Sequence, residues 1–346
     1  MTNRLREAVA AFTFEKNSMK AKQLKRLQHR QAGFTLLELL VVITLIATLA
    51  TAALVAYEGI GENADEAAAS NNLLSAESSI RNFRAVEDRY PNQWDNLANL
   101  TGAGTSPAAG SQLLLAAQTR AFFGQWSVTT ATNTIWPNVA AALNAVGINE
   151  LQTLQDTSTF AAGVIPNLAF NESAPGVTNV ARELEFTAAG VVDYDGTTPA
   201  TVAISIVPSS TGTACSAGGS AINTNFEGAS VNANLSRALN LINDSLDDDG
   251  CHLVLALGFG KDVPGTTLDS RVAISQAPTA TSATINPANN YARYVALFHL
   301  GSADENGATP TVIQPADIFA RARFIGMVDP GGRIVDQTLA GANAGQ

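Results

Sequence analysis

From Phe34 to Tyr57 the chain runs for 24 residues with a single charge, Glu38, and with neither glycine nor proline. As a helix this block spans about 36 Å, enough to cross the roughly 30 Å hydrocarbon core of a bilayer. Thr35, Thr44, Thr48 and Thr51 interrupt it only mildly, and nothing breaks a helix before Gly59. The flanks differ in sign. Residues 1–33 hold eight of the 20 Lys/Arg and two of the 30 Asp/Glu, which leaves 12 and 28 in residues 34–346, a net charge of −16. A basic leader on the cytoplasmic side and an acidic body outside satisfy the bias that orients membrane segments. An acidic body also lacks the positive footprint that nucleic-acid binding needs, so no nucleic-acid partner is expected.

Glu38 is the residue that needs explaining. An acidic side chain within a membrane segment costs on the order of 3 kcal/mol and calls for a partner. No Lys or Arg lies in the block. Three fates of the block remain open from the residues themselves. A secretory signal is cut after a small-x-small site, and Ala50-Thr51-Ala52 provides one, releasing a soluble or binding protein after Ala52. A plain anchor is not cut, and Glu38 then lies among the headgroups and reaches water. A cut ahead of the helix, after Gly33, creates an ammonium on Phe34, four residues from Glu38. That pair supplies the missing cation, and a buried polar pair of this kind can fix register between chains.

Gly33-Phe34-Thr35-Leu36-Leu37-Glu38, preceded by Arg30 and followed by Leu39-Leu40-Val41-Val42-Ile43, resembles the N-terminus of the type IV pilin and type II secretion pseudopilin superfamily. The resemblance covers under a tenth of the chain closely. It implies a prepilin peptidase that cuts between Gly33 and Phe34 and N-methylates the new amine. It implies an apolar helix kept as an assembly stem, and Glu38 paired with Phe34 of a neighbouring subunit. The partners it implies are the peptidase, like or related pilin subunits and an inner-membrane assembly platform. The place it implies is the cytoplasmic membrane, single pass with the head outside, and later a periplasmic or cell-surface filament. An adhesive tip subunit is the variant that an oversized head raises. A start at Met19 instead of Met1 leaves the same mature product.

The expected organisation is a leader at 1–33, removed, a transmembrane and assembly helix at 34–57, its soluble continuation at 58–90 and a globular head at 91–346. Gly59 and Gly61 cost roughly 1 kcal/mol each in a helix and mark a hinge or loosened turn. Leu73, Ala76, Ile80 and Phe83 recur at helical spacing, with Val86 and Tyr90 extending the stripe to Pro91. Such a stripe packs against a head. Helical patches are expected at 111–123 and 137–156, with Pro137 in a first turn, and at Asn232–Asn243. Loops are expected at 101–111 and Asn167–Thr178. Strands are expected at Val191–Tyr194, Thr201–Val207, His252–Phe259, Arg271–Gln276, Arg293–His299 and Arg323–Asp329. Asp329-Pro330-Gly331-Gly332 reads as a hairpin turn into Arg333-Ile334-Val335. The fold class is therefore α+β: a long N-terminal helix packed on a mainly antiparallel sheet with extra short helices.

The residues offer no catalytic constellation, and no enzyme is expected. HExxH, G-x-S-x-G, Walker A and dinucleotide fingerprints are absent. Gly258-Phe259-Gly260-Lys261 is a fragment of a glycine loop with Asp262 where a P-loop needs Ser or Thr. Cys251 and His252 are adjacent on a strand, so their side chains diverge. The run Asn243–Gly250 carries Asp247 and Asp249 in oxygen-ligand spacing. The twelfth position of an EF-hand read from Ser245 is Ala256, so the run is a solvated acidic loop or, failing that, a non-EF calcium loop; no other cofactor is expected. Cys215 and Cys251 are the chain's two cysteines. Outside the cytoplasm an even count permits one disulfide; two free buried thiols are the alternative.

Overall fold

The computed structural model describes residues 6–7, 35–99, 114–154, 165–170, 181–187, 190, 192–193, 201–208, 215–222, 226, 251–265, 270–272, 274–282, 284–303 and 311–344. The chain divides into two units, Met1–Gly59 and Ile60–Gln346. In the first, helix α1 (Leu36–Glu87) begins, and its opening turns are exposed on every side. Helical structure continues through Gly59 and Gly61, so the expected hinge is not a break in the helix. Gly61 meets nothing that a side chain would strike, and propensity alone does not interrupt a helix this long.

Within the second unit, Leu73, Ala76, Ile80 and Phe83 are buried, each of the three large ones worth about 1.5–3 kcal/mol. Val86 is exposed and does not extend the stripe. Two features stop the helix: Asp88 takes a left-handed conformation at φ 54°, a helix end that Asp tolerates, and Pro91 follows.

The head is built on a nine-stranded sheet. Its strands are β1 (Trp94–Asn99), β2 (Gly124–Thr129), β3 (Glu150–Leu154), β4 (Ala181–Phe186), β5 (Val192–Asp193), β6 (Thr201–Val207), β9 (His252–Gly258), β10 (Val295–Ser302) and β12 (Ile318–Val328). The main path is β12-β10-β9-β1-β3-β4-β5, with β6 branching from β9 towards β2. A second sheet joins β7 (Ser216–Ala217), β8 (Ser220–Ala221) and β11 (Val312–Ile313) in the order β11-β7-β8. All pairings are antiparallel except β1 with β3 and β7 with β11. Short helices α2 (Ala117–Phe122), α3 (Trp136–Asn144), α4 (Asp262–Gly265) and α5 (Val335–Ala344) complete the α+β fold.

Strand β9 is the hub. One edge pairs with β10 throughout. The other is shared: Val254 and Leu255 pair with β6, while Leu257 and Gly258 pair with β1. Where β1 and β6 part, backbone groups lose ladder partners, and buried Asn96 and Ser205 replace them. The Asn96 amide donates to the Ala203 carbonyl at 2.9 Å, Ser205 N–H donates to Asn96 Oδ1 at 2.9 Å, and Leu97 N–H donates to Ser205 Oγ at 3.1 Å. Both faces of β9 are covered. Leu253, Leu255 and Leu257 join the layer holding the α1 stripe, α3 and Trp94, whereas Val254 and Ala256 join Phe123, Phe170 and Tyr291. An apolar run without alternation follows from burial on two sides.

Several expectations are corrected. The patch at 137–156 is helical only over α3; Gly147 at φ 86° ends it, since a Cβ there falls 2.8 Å from Arg89 Cβ. Glu150–Leu154 is then a strand. Among the described residues of Arg271–Gln276 none is in a strand; an isolated bridge, Thr279 to Arg293, lies nearby. Among the described residues the patch at 111–123 is helical at Leu114 and over α2, with a break at Leu115 and Ala116 between them. The turn at Asp329–Gly332 is present, but α5 follows it rather than a strand. The expected helix at Asn232–Asn243 and the loop at 101–111 lie outside the described residues, as does most of Asn167–Thr178.

Gly332 gives a direct test of that turn. Its φ is +83°, and a Cβ there falls 2.1 Å from Phe122 Cγ. Gly332→Ala is expected to destabilise the head by about 2–4 kcal/mol, from backbone strain plus overpacking. A thermal-melting midpoint equal to that of the unsubstituted chain would show that the turn is not held this way.

Candidate functional site

The described part of the stem starts at Thr35, just before α1. Thr35 N–H and Thr35 Oγ1–H both donate to Glu38 Oε2, at 2.9 and 3.0 Å, and Glu38 N–H donates to Thr35 Oγ1 at 3.2 Å. This is a capping box: the two side chains satisfy backbone donors that a helix start leaves unpaired. The signature Thr-x-x-Glu ahead of an apolar run was readable at Thr35–Glu38 and was missed because Glu38 was weighed only as a charge. Glu38 therefore has local hydrogen bonds before any neighbour is considered. Among the described residues it makes no ion pair. Gly33 and Phe34 lie outside the described residues, so the Phe34 to Glu38 pairing stays an expectation.

Farther along, the threonines are internally satisfied. Thr44 Oγ1 donates to the Val41 carbonyl at 2.9 Å, Thr48 to Leu45 at 2.9 Å, and Thr51 to Thr48 at 2.9 Å. With each hydroxyl bonded to its own helix, the segment presents little unmet polarity to hydrocarbon. Leu36–Val55 has a mean hydropathy of 2.3 and none of it is buried. Among the described residues it is the one helix long and apolar enough to cross a membrane. An apolar surface of this size, all round a helix, requires lipid or other helices.

These features coincide with what known proteins share with this chain. Residues 28–54 match the model of the prokaryotic N-terminal methylation motif. The chain carries a prepilin-type N-terminus. Over 81 residues it is 33% identical to type II secretion system core protein G of Dickeya chrysanthemi, covering 23% of this chain and 53% of that one. Over 72 residues it is 36% identical to the core protein G of Pectobacterium carotovorum subsp. carotovorum, covering 21% and 46%. Over 82 residues it is 33% identical to that of Escherichia coli (strain K12), covering 24% and 57%. The chain thus spans about half the length of the curated relatives it matches. No solved structure matches it. The resemblance read at Gly33–Ile43 is thereby shown for the prepilin-type motif.

The head places the other candidate residues. Gly258 and Gly260 cradle a buried acid–phenol pair instead of a phosphate. A Cβ on Gly260 falls 2.1 Å from Asp95 Oδ1, and one on Gly258 falls 1.9 Å from Tyr291 Oη. Tyr291 Oη–H donates to Asp95 Oδ2 at 2.6 Å. Burial pushes the Asp95 carboxyl up to about 7, against the lowering effects of the Tyr291 hydrogen bond and the Arg293 charge. Sequence reasoning passed over this pair. Glycines two apart in a strand end were its one signal.

Cys251 and His252 diverge, as expected. His252 Nδ1 lies 3.3 Å from His299 Nε2. Burial, and then the neighbouring His252, hold His299 down at about 4, so the His299 imidazole is neutral at ordinary pH. Cys215 and Cys251 are both fully buried, as reduced thiols in this structure. They lie against each other, and their mutual hydrogen bond, followed by burial, raises the Cys251 thiol. Asp247 and Asp249 lie outside the described residues. Among the described residues no group of three His, Cys, Asp or Glu side chains is placed to hold a metal.

Proposed function

We propose that this chain is a structural subunit of a type II secretion pseudopilus or a closely related type IV pilus-like filament. The match of residues 28–54 to the methylation motif carries this reading, and the similarity to core protein G favours secretion over a surface pilus. In this reading a prepilin peptidase removes 1–33, residues 34–57 lie in the cytoplasmic membrane, residues 58–90 continue the helix outside, and 91–346 form the exported head. The mechanism is assembly rather than catalysis. The stem waits in lipid, and cleavage removes the basic flank that resists extraction. An assembly platform then moves the stem into a core of like or related helices. That exchange replaces lipid by protein, so close packing and the Phe34 to Glu38 pair set the geometry. Before assembly Thr35 keeps Glu38 bonded; afterwards the amine of a neighbour supplies its counter-charge.

Mass spectrometry of the mature N-terminus, from a bacterium with a prepilin peptidase, tests the reading. An N-methylated Phe34 is expected. A chain beginning at Ala53 would replace it with export by an ordinary signal peptidase, and an intact leader would leave a plain anchor.

A further inference from the structure

The geometry points to an intramolecular disulfide between Cys215 and Cys251 that staples the small sheet to the hub strand of the large one. Cys215 immediately precedes β7, and Cys251 immediately precedes β9. Both are fully buried in the layer that holds the α1 stripe. Each is held by its backbone: Ile222 N–H donates to the Cys215 carbonyl at 3.1 Å, and Ala303 N–H donates to the Cys251 carbonyl at 2.8 Å. The Cys215 side chain and the Ser216 N–H both lie within hydrogen-bonding reach of the Cys251 thiol. These are the chain's two cysteines, so no rearranged pairing competes within one molecule.

Burial adds a condition on timing. A thiolate must reach the sulfur of an incoming disulfide, and a fully buried thiol cannot. Oxidation therefore occurs before β7 and β9 close over the sulfurs. One cysteine thiolate attacks a sulfur of a donor disulfide, expelling one donor thiol and forming a mixed disulfide. The second cysteine thiolate displaces the other donor thiol. The protein gives up two electrons and two protons, and the donor disulfide becomes two thiols. In cells the donor is a disulfide-exchange protein of the compartment outside the cytoplasmic membrane. The cellular part of the inference therefore rests on the exported-head reading.

The test has two arms on the full chain in detergent. In the first, the purified chain is unfolded with reductant and refolded in a mixture of reduced and oxidised glutathione. Acid quenching, denaturation and a polyethylene-glycol maleimide then count free thiols. No added mass is expected unless reductant is supplied first. The melting midpoint of this chain is expected to fall by about 5–15 °C on reduction, while the Cys215→Ala/Cys251→Ala variant melts alike with and without reductant. Two maleimides per chain after refolding, or a midpoint indifferent to reductant, would overturn the staple. This arm does not depend on topology. The second arm applies the same maleimide to chains trapped directly from cells, with protease access to the head scored in parallel. A protected, thiol-blocked head outside supports the inference. Free thiols on an external head overturn it while leaving the filament reading intact. An internal head with free thiols, alongside a positive first arm, overturns the exported-head reading and the cellular oxidation that rests on it.

Discussion

Glu38→Ala is expected to abolish incorporation into filaments, and Glu38→Gln is expected to do nearly the same. In an apolar helix core, removing one partner of a buried ion pair leaves an uncompensated charge, which costs about 3–5 kcal/mol. That corresponds to at least a hundredfold loss in the assembled fraction. The Gln substitution separates two explanations. It preserves the capping box, because Gln serves at that position as Glu does, but it removes the charge. Thr35→Ala does the reverse, weakening the box that Thr35 and Glu38 make while keeping the charge. It is expected to cost about 0.5–2 kcal/mol in the helix start and to leave most assembly in place. Sedimentation of sheared filaments with quantitative immunoblotting reads all three, and cleavage of the leader is the internal control. Full assembly by Glu38→Gln would show that the carboxylate acts as a cap and not as a counter-ion.

The second large effect concerns pH and the head. Asp95 is held near 7 in the fold by burial, against an ordinary value of 3.8. The folded state therefore keeps a proton that the unfolded chain releases. The stability this contributes is fully present below about pH 4 and is lost as the pH climbs to about 7. The slope is about 1.4 kcal/mol per pH unit, and the total reaches about 4 kcal/mol. Tyr291 donates to the carboxylate. Arg293 favours its charged form, whereas Asp262 opposes it. Asp95→Asn keeps an acceptor for Tyr291 and has no proton to release. Relative to the unsubstituted chain its stability is expected to be similar at pH 4 and higher by several kcal/mol at pH 8; the opposite contribution of His299, held down at about 4, is common to both chains and cancels in the difference. Urea unfolding followed by tryptophan fluorescence is suited to this, since Trp94, Trp126 and Trp136 are all buried. Equal stability of the unsubstituted chain and Asp95→Asn at pH 8 would refute the argument.

Features carried by local patterns were legible in the sequence. The alternation of Val202, Ile204 and Ile206 located β6 with its bounds, and the α1 stripe was correct through Phe83. The stem was legible because one charge in an apolar block is a local anomaly. Failures arose where a neighbour distant in sequence decides the outcome. Glu150–Leu154 has helix-compatible residues, yet it becomes a strand because Gly147 fits only against Arg89 and because β1 offers an edge. Asp95 and Tyr291 are 196 residues apart, and nothing local announces their pairing. Asn96 and Ser205 have ordinary polar identities, and their task exists only where two strands diverge. The Thr35–Glu38 box, by contrast, was written in the sequence in plain terms.

The position of β9 has a consequence for the order of events in the cell. It borders strands that begin at residues 94, 201 and 295, so contacts of great sequence separation converge on one segment, a topology that folds slowly. Until the ribosome has delivered residues through Gly258, β1 and β6 have no common neighbour, and until Ser302 is delivered the second edge of β9 stays open. A nascent chain cannot finish its sheet early. The apolar segment Leu36–Val55 is complete long before β9 gains its last neighbour, which leaves an interval in which open strand edges tell the unfinished from the finished.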